Sequence, residues 1–191
     1  MLLVARLLQM PRSIDRLAGD LKRAIEIGRA QAASEIVFSL QEQGPWWTGN
    51  FARSWVVSPS LVKPTKKVGG RGDNVYGPTP QRTARVPGKP LVIPTALSKS
   101  LFVGNEIEYA GFAAGREHAT VPVGLSAGIN YAEHATRKNI TPPMGVYWFP
   151  LYITHQQFLL HDLNKGFTRG FNEAMGAGMS IQSPSSTALV K

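Results

Sequence analysis

Ile14–Gln43 reads IDRLAGDLKRAIEIGRAQAASEIVFSLQEQ, and this stretch decides the fold. Ile14, Leu17, Ala18, Leu21, Ile25, Gly28, Ala32, Ile36 and Leu40 recur at steps of three and four. That spacing lays one apolar stripe along an α-helix. Pro11 and Ser13 supply a start, and Gly44-Pro45 a stop. Arg12, Arg16, Lys22, Arg23 and Arg29 sit mostly off the stripe. The predicted helix has about thirty residues, well above the globular mean of about 11–12. A helix this long with one apolar face needs a sheet or a neighbouring subunit to cover it.

Towards the C-terminus the helical spacing returns over residues 154–174, where Phe158, Leu159, Leu163, Phe167, Phe171 and Ala174 share a face. Gly166 and Gly170 weaken this helix by about 1 kcal/mol each relative to Ala, and they open it to close approach of another backbone. The remainder, GAGMSIQSPSSTALVK, has no periodicity and reads as an arm. Between the two helices the pattern changes to short β-like runs at 51–58, 91–93, 100–103, 121–123 and 146–149. Gly104-Asn105 reads as a turn after the third run. The expected fold is α+β. A long N-terminal helix and a C-terminal helix pack on a small, mostly antiparallel sheet that carries a long projecting hairpin loop. Residues 1–175 form one domain and 176–191 a flexible C-terminal arm.

Composition narrows the function classes. The 191 residues carry 21 Lys and Arg against 12 Asp and Glu, a net charge of +9, and the pI is about 10.1. At 43% hydrophobic and 17% charged the chain has a core and is not of disordered composition. It has no cysteine, which removes disulfides, thiol nucleophiles and cysteine-ligated metals. The apolar opening MLLVARLLQM is interrupted by Arg6 and lacks a cleavage signal, so no signal peptide is expected. The uncharged run 139–161 contains three prolines and is no bilayer span. A soluble protein without membrane contact is expected.

Residues 63–90 stand apart. Lys63, Lys66, Lys67, Arg71, Arg82, Arg85 and Lys89 face Asp73 alone, which concentrates +6 of the +9 here, among five glycines and five prolines. A loop this long inside a compact domain is usually functional or disordered. Two readings suit it. One is an arm that meets an acidic protein surface. The other is a nucleic-acid contact neutralising phosphates, although Tyr76 is the only aromatic available for stacking. The first is favoured, because no folded nucleic-acid module accompanies the charge.

Catalytic patterns are sparse. Glu117-His118-Ala119-Thr120 and Glu133-His134-Ala135-Thr136 each place a carboxylate beside an imidazole, but neighbouring residues on a strand diverge. HExxH, GxSxG and GxxxxGK[ST] are all missing. We expect no enzyme, no cofactor and no metal. Aromatics cluster twice, as Trp46, Trp47, Phe51 and Trp55, then as Tyr147, Trp148, Phe149 and Tyr152. Trp55 and Trp148 read as core. Trp46 and Trp47, at a Gly-Pro turn, suit a core or an interface equally.

The order of these segments resembles a known family. Gly44-Pro45-Trp46-Trp47-Thr48-Gly49-Asn50-Phe51-Ala52-Arg53-Ser54-Trp55 resembles the P-x-x-T-G-x-L-R-x-S signature of the minor tail, tail-completion and head–tail connector proteins of tailed bacteriophages. Thr48, Gly49 and Ser54 match it in place, Arg53 stands one position after the signature's arginine, and Phe51 replaces the aliphatic residue. A variable loop follows, as 63–90 does here. Then comes an N-x-x-x-Y-A element, matched by Asn105 to Tyr109-Ala110, with Tyr131-Ala132 as a second candidate. The resemblance implies a structural virion protein of the neck or tail, assembled in the host cytoplasm. It implies a homo-oligomeric hexamer or dodecamer ring that joins portal or adaptor protein to the tail tube, tail terminator or sheath, with DNA passing through the lumen. The expected interface residues are Trp46, Trp47, Lys66, Lys67, Arg71, Arg82, Arg85 and Lys89.

Overall fold

The computed structural model describes residues 14–45, 49–67, 89–90, 92–116, 130–138, 142–154 and 156–176. Helix α1 spans Ile14–Gln43, as its stripe predicts. A short turn, α2 (Asn50–Arg53), leads into strand β1 (Trp55–Ser58), which pairs antiparallel with β2 (Phe102–Asn105). Four further helices follow: α3 (Ala110–Ala113), α4 (Tyr131–Lys138), α5 (Trp148–Thr154) and α6 (Gln156–Met175). Among the described residues, helices with a two-stranded antiparallel sheet make this an α+β arrangement. No helix among the described residues is long and apolar enough to cross a membrane.

The two long helices pack chiefly on each other. A Cβ on Gly166 would stand 2.6 Å from the Ala32 Cα and the Gln31 carbonyl, and one on Gly170 3.0 Å from the Ile27 carbonyl. The glycines expected to admit another backbone therefore admit α1. From the other side, Gly28 accepts the Phe167 ring. These pairs fix an antiparallel register. Past Met175 it carries α6 out of reach of the first turns of α1, where residues 14–19 are all exposed.

The C-terminal part of α1 meets an aromatic core. Val37, Leu40, Phe51, Trp55, Ile107, Phe112, Tyr131, Trp148 and Tyr152 are buried together. Phe51 sits edge-on to both Trp55 and Trp148, at centroid distances of 5.7 and 5.9 Å. The Trp148 indole N–H donates to the Ala113 carbonyl at 2.8 Å, so its burial leaves no donor orphaned.

Three local readings need correction. Residues 146–149 form no strand. Gly145 takes a left-handed conformation at φ 83°, and Trp148 then opens α5, with Pro150 in its first turn, where a missing N–H costs nothing. The run 51–58 is a strand only from Trp55, because the Ser54 hydroxyl donates back to the Asn50 carbonyl at 2.8 Å and closes α2. Gly104 and Asn105 are the last residues of β2 and make no turn. Residues 92 and 93 carry no regular secondary structure and pair with no described strand, and 91 and 121–123 lie outside the described residues.

Candidate partner interface

Of the described residues quoted for the family motifs, those of 49–54 and 105 meet at one joint between α1 and the sheet. Gly49 adopts φ 84°, a left-handed conformation in which a side chain is strained, and it starts α2. Ser54 is buried and Arg53 exposed. From the other motif, the Asn105 amide donates to the Phe51 carbonyl at 2.8 Å, and its side-chain oxygen accepts from the Ile107 N–H at 3.0 Å. Asn105 thus ties α2 to the exit of β2. Tyr109 precedes α3 and Ala110 is its first residue. Burial, reinforced by the Glu108 charge, pushes the Tyr109 phenol up to about 12. Thr48, Trp46 and Trp47 lie outside the described residues. The second candidate pair, Tyr131-Ala132, opens α4. There the Asn130 side chain accepts the Glu133 N–H at 2.9 Å and caps the helix.

Of the basic segment, only the two ends are described, and both are fastened. Lys66 makes a parallel bridge beside Ile107: its N–H donates to the Glu106 carbonyl and its carbonyl accepts from the Glu108 N–H, at 2.7 and 3.0 Å. The Lys66 and Lys67 side chains are exposed. At the other end, Lys89 Nζ lies 2.6 Å from Glu35 Oε1, and the Pro90 carbonyl accepts from the Ser34 hydroxyl at 2.7 Å. Arg71, Arg82 and Arg85 lie outside the described residues.

Glu35 is the centre of a network that sequence spacing did not reveal. Its side chain is 1% exposed, and it faces Lys89, Arg169 (2.7 Å) and Lys165 (3.7 Å). Arg169 also donates to Gln31 at 2.8 Å. Burial pushes the Glu35 carboxyl up. The Lys89 hydrogen bond and the charges of Lys165, Lys89 and Arg169 outweigh it, and the pKa falls below the usual carboxylate value. So Lys89, expected at a subunit interface, is engaged within its own chain. Its ammonium also lies 5.4 Å from the Phe38 ring centroid.

From Lys89 the chain runs back along α1 as a strap. The Leu97 N–H donates to Glu26 at 3.3 Å, and Arg29 donates to the Lys99 carbonyl at 2.7 Å. The strap leaves Ile93 78% exposed, with Leu97 also exposed. At the tip of α1, Ile14, Leu17 and Leu21 are exposed on the helix's apolar stripe, Ile14 at 86%. Phe158 and Leu163 are exposed on α6.

Catalytic geometry does not assemble among the described residues, where no group of three or more His, Asp or Glu side chains stands in position to hold a metal. His134 is buried and packs its ring 6.2 Å from Phe112, while His118 lies outside the described residues. The buried pair Tyr152 and Asp162 is joined by a hydrogen bond of 2.8 Å from the phenol to the carboxylate. Burial and the Asp162 charge push the phenol far above its usual value, so it stays a neutral donor. Compared with known proteins, the chain matches no family model, no curated protein and no solved structure.

Proposed function

We propose that this chain is a structural subunit of a bacteriophage neck or tail-completion assembly, acting as a ring that joins the portal or adaptor to the tail tube. One observation carries the reading. The two stretches that resemble the family's signatures, Gly49–Ser54 and Asn105–Ala110, are far apart in sequence yet fasten to each other through Asn105 and Phe51. They form the joint at which a long helix hands over to a sheet. Exposed apolar side chains along the tip of α1 supply surface of the kind that subunit contacts bury. A ring of identical chains needs two different faces on each copy, and the α1 tip and the strap supply two such faces on one chain.

Electron microscopy of the purified chain, alone and mixed with portal, adaptor or tail-tube protein, tests this. Closed rings or ring-shaped complexes are expected. A monomer that joins none of these partners contradicts it. A second reading, contact with DNA through residues 63–90, is favoured by the exposed Lys63, Lys66 and Lys67. It predicts DNA affinity that falls steeply with salt and is lost when Lys66, Lys67, Arg71, Arg82 and Arg85 are neutralised.

A further inference from the structure

Three cations crowd one buried carboxylate where α1, α6 and the end of the basic segment meet. Glu35 Oε1 lies 2.6 Å from Lys89 Nζ and 2.7 Å from the Arg169 guanidinium, and Oε2 lies 3.7 Å from Lys165 Nζ. The carboxylate is 1% exposed, whereas the three cations are 35–53% exposed. One carboxylate against three cations leaves two positive charges in surplus. Glu173, 3.9 Å from Arg169 and well exposed, offsets no more than one of them. Donors are left over too. Lys165 stands too far from Glu35 for a hydrogen bond, and Lys89 uses one of its three N–H groups on Glu35.

The chain itself is short of anions for this surplus. Among the described residues no acidic side chain besides Glu35 and Glu173 makes an ion pair with Lys89, Lys165 or Arg169. Asp162, on the same helix, is buried and holds the Tyr152 hydroxyl. The segments outside the described residues contain Asp73 and Glu117 as their acidic side chains, against Arg6, Arg12, Arg71, Arg82, Arg85 and Lys191. On balance they add positive charge. Nor does the surplus end at the cluster. Lys89 is the last cation of the strongly basic residues 63–90, at whose other end Lys63, Lys66 and Lys67 are exposed. Duplex DNA carries one charge about every 1.7 Å, so it can meet both the helix and the segment joined to it. A lone carboxylate on a protein surface would meet only one of them.

We infer that Lys89, Lys165 and Arg169 form a phosphate site for duplex DNA on the folded body of the chain, which continues the contact of residues 63–90 onto α6. Lys165 and Arg169 lie one turn apart, about 6 Å along the helix. Glu35 and Gln31 accept from the Arg169 guanidinium, and Glu35 accepts from Lys89. Two of the three cations are thus held in place before DNA arrives and lose little freedom on binding. Lys165 brings unused N–H groups beside them. Contacts to phosphate position a duplex without reading its bases, so no sequence preference is expected. The inference rests on the reading in which residues 63–90 touch DNA.

Fluorescence anisotropy of a short labelled duplex with the full-length chain, over a range of salt concentrations, tests it. Lys165→Gln should weaken binding about eightfold at about 0.1 M salt and lower the salt slope by about 0.9, the loss of one phosphate contact. Lys165→Arg keeps the charge and should bind as the wild type does. Lys22→Gln makes the same charge change at an exposed site on α1 and should leave the slope as it is. A Lys165→Gln loss no larger than that of Lys22→Gln overturns the inference. So does Lys165→Arg binding as weakly as Lys165→Gln, which would trace the loss to packing. If neutralising Lys66, Lys67, Arg71, Arg82 and Arg85 abolishes binding while Lys165→Gln leaves it intact, residues 63–90 keep their DNA contact and the helix site falls alone. A wild type that binds no duplex even at low salt removes both and leaves the ring reading standing.

Discussion

The two parts of α1 share one apolar stripe but not one environment. From Ala24 to Gln41 nearly every stripe position is covered by α6, the strap or the aromatic core, and Ala24 and Val37 are fully buried. From Ile14 to Leu21 the stripe continues in sequence and is exposed. Among the described residues the cover stops because α6 ends at Met175, opposite the third turn of α1, and not because the pattern stops. Burying a large aliphatic side chain is worth about 1.5–3 kcal/mol. The first part of α1 therefore leaves that contribution unused within the described residues, while the second part holds the molecule together.

Substitutions should divide the same way. Trp148→Ala strikes the covered part hardest. It empties the centre of the aromatic core beside Leu40 and Phe51 and orphans the Ala113 carbonyl. A loss of about 4 kcal/mol is expected, read from chemical denaturation. Gly166→Val comes next. Its Cβ would meet the Ala32 backbone at 2.6 Å, and neither helix backbone can yield locally. About 3 kcal/mol should be lost, and a normal transition would mean that α1 and α6 do not approach at this point.

Glu35→Ala should cost less, about 1–2 kcal/mol, because its cationic partners are about a third to a half exposed and partly screened. Its pH signature is more telling. The folded carboxyl titrates below its unfolded value, so its contribution is present in full above the unfolded pKa and disappears as pH falls through the folded one. The stability difference between wild type and Glu35→Ala should shrink on acidification below about pH 4.5 and be flat from there to neutrality. A difference that grows in acid would put the wrong partners around Glu35.

The smallest stability change belongs to the exposed part. Leu17→Asp with Leu21→Asp should alter the thermal transition by no more than about 0.5 kcal/mol, since neither side chain is buried in the chain itself. A large loss would show that the two parts of α1 are not different after all.

How much of this was legible in sequence follows the range of each interaction. The limits of α1 could be read because the stripe, Pro11, Ser13 and Gly44 are local. Gly166 and Gly170 announced a close approach but not its partner. Residues 146–149 misled because a short run of valine and aromatics has no period, and the left-handed Gly145 decided the matter. Helix α4 has a local start signal in Asn130 with Glu133 three residues on, a capping pattern that lacks an apolar run after it to mark a helix. Glu35 was beyond reach. On the helix it looks like one more surface charge, and only Lys89 and Arg169, distant in sequence, make it the hub.

Mass measurement of the full chain beside the Leu17→Asp, Leu21→Asp double variant tests the central claim most directly. The account predicts a multi-subunit closed species for the wild type and lighter, open species for the variant, at equal thermal stability. A wild-type chain that stays at 20.8 kDa at every concentration, and in the presence of portal and tail-tube proteins, contradicts it.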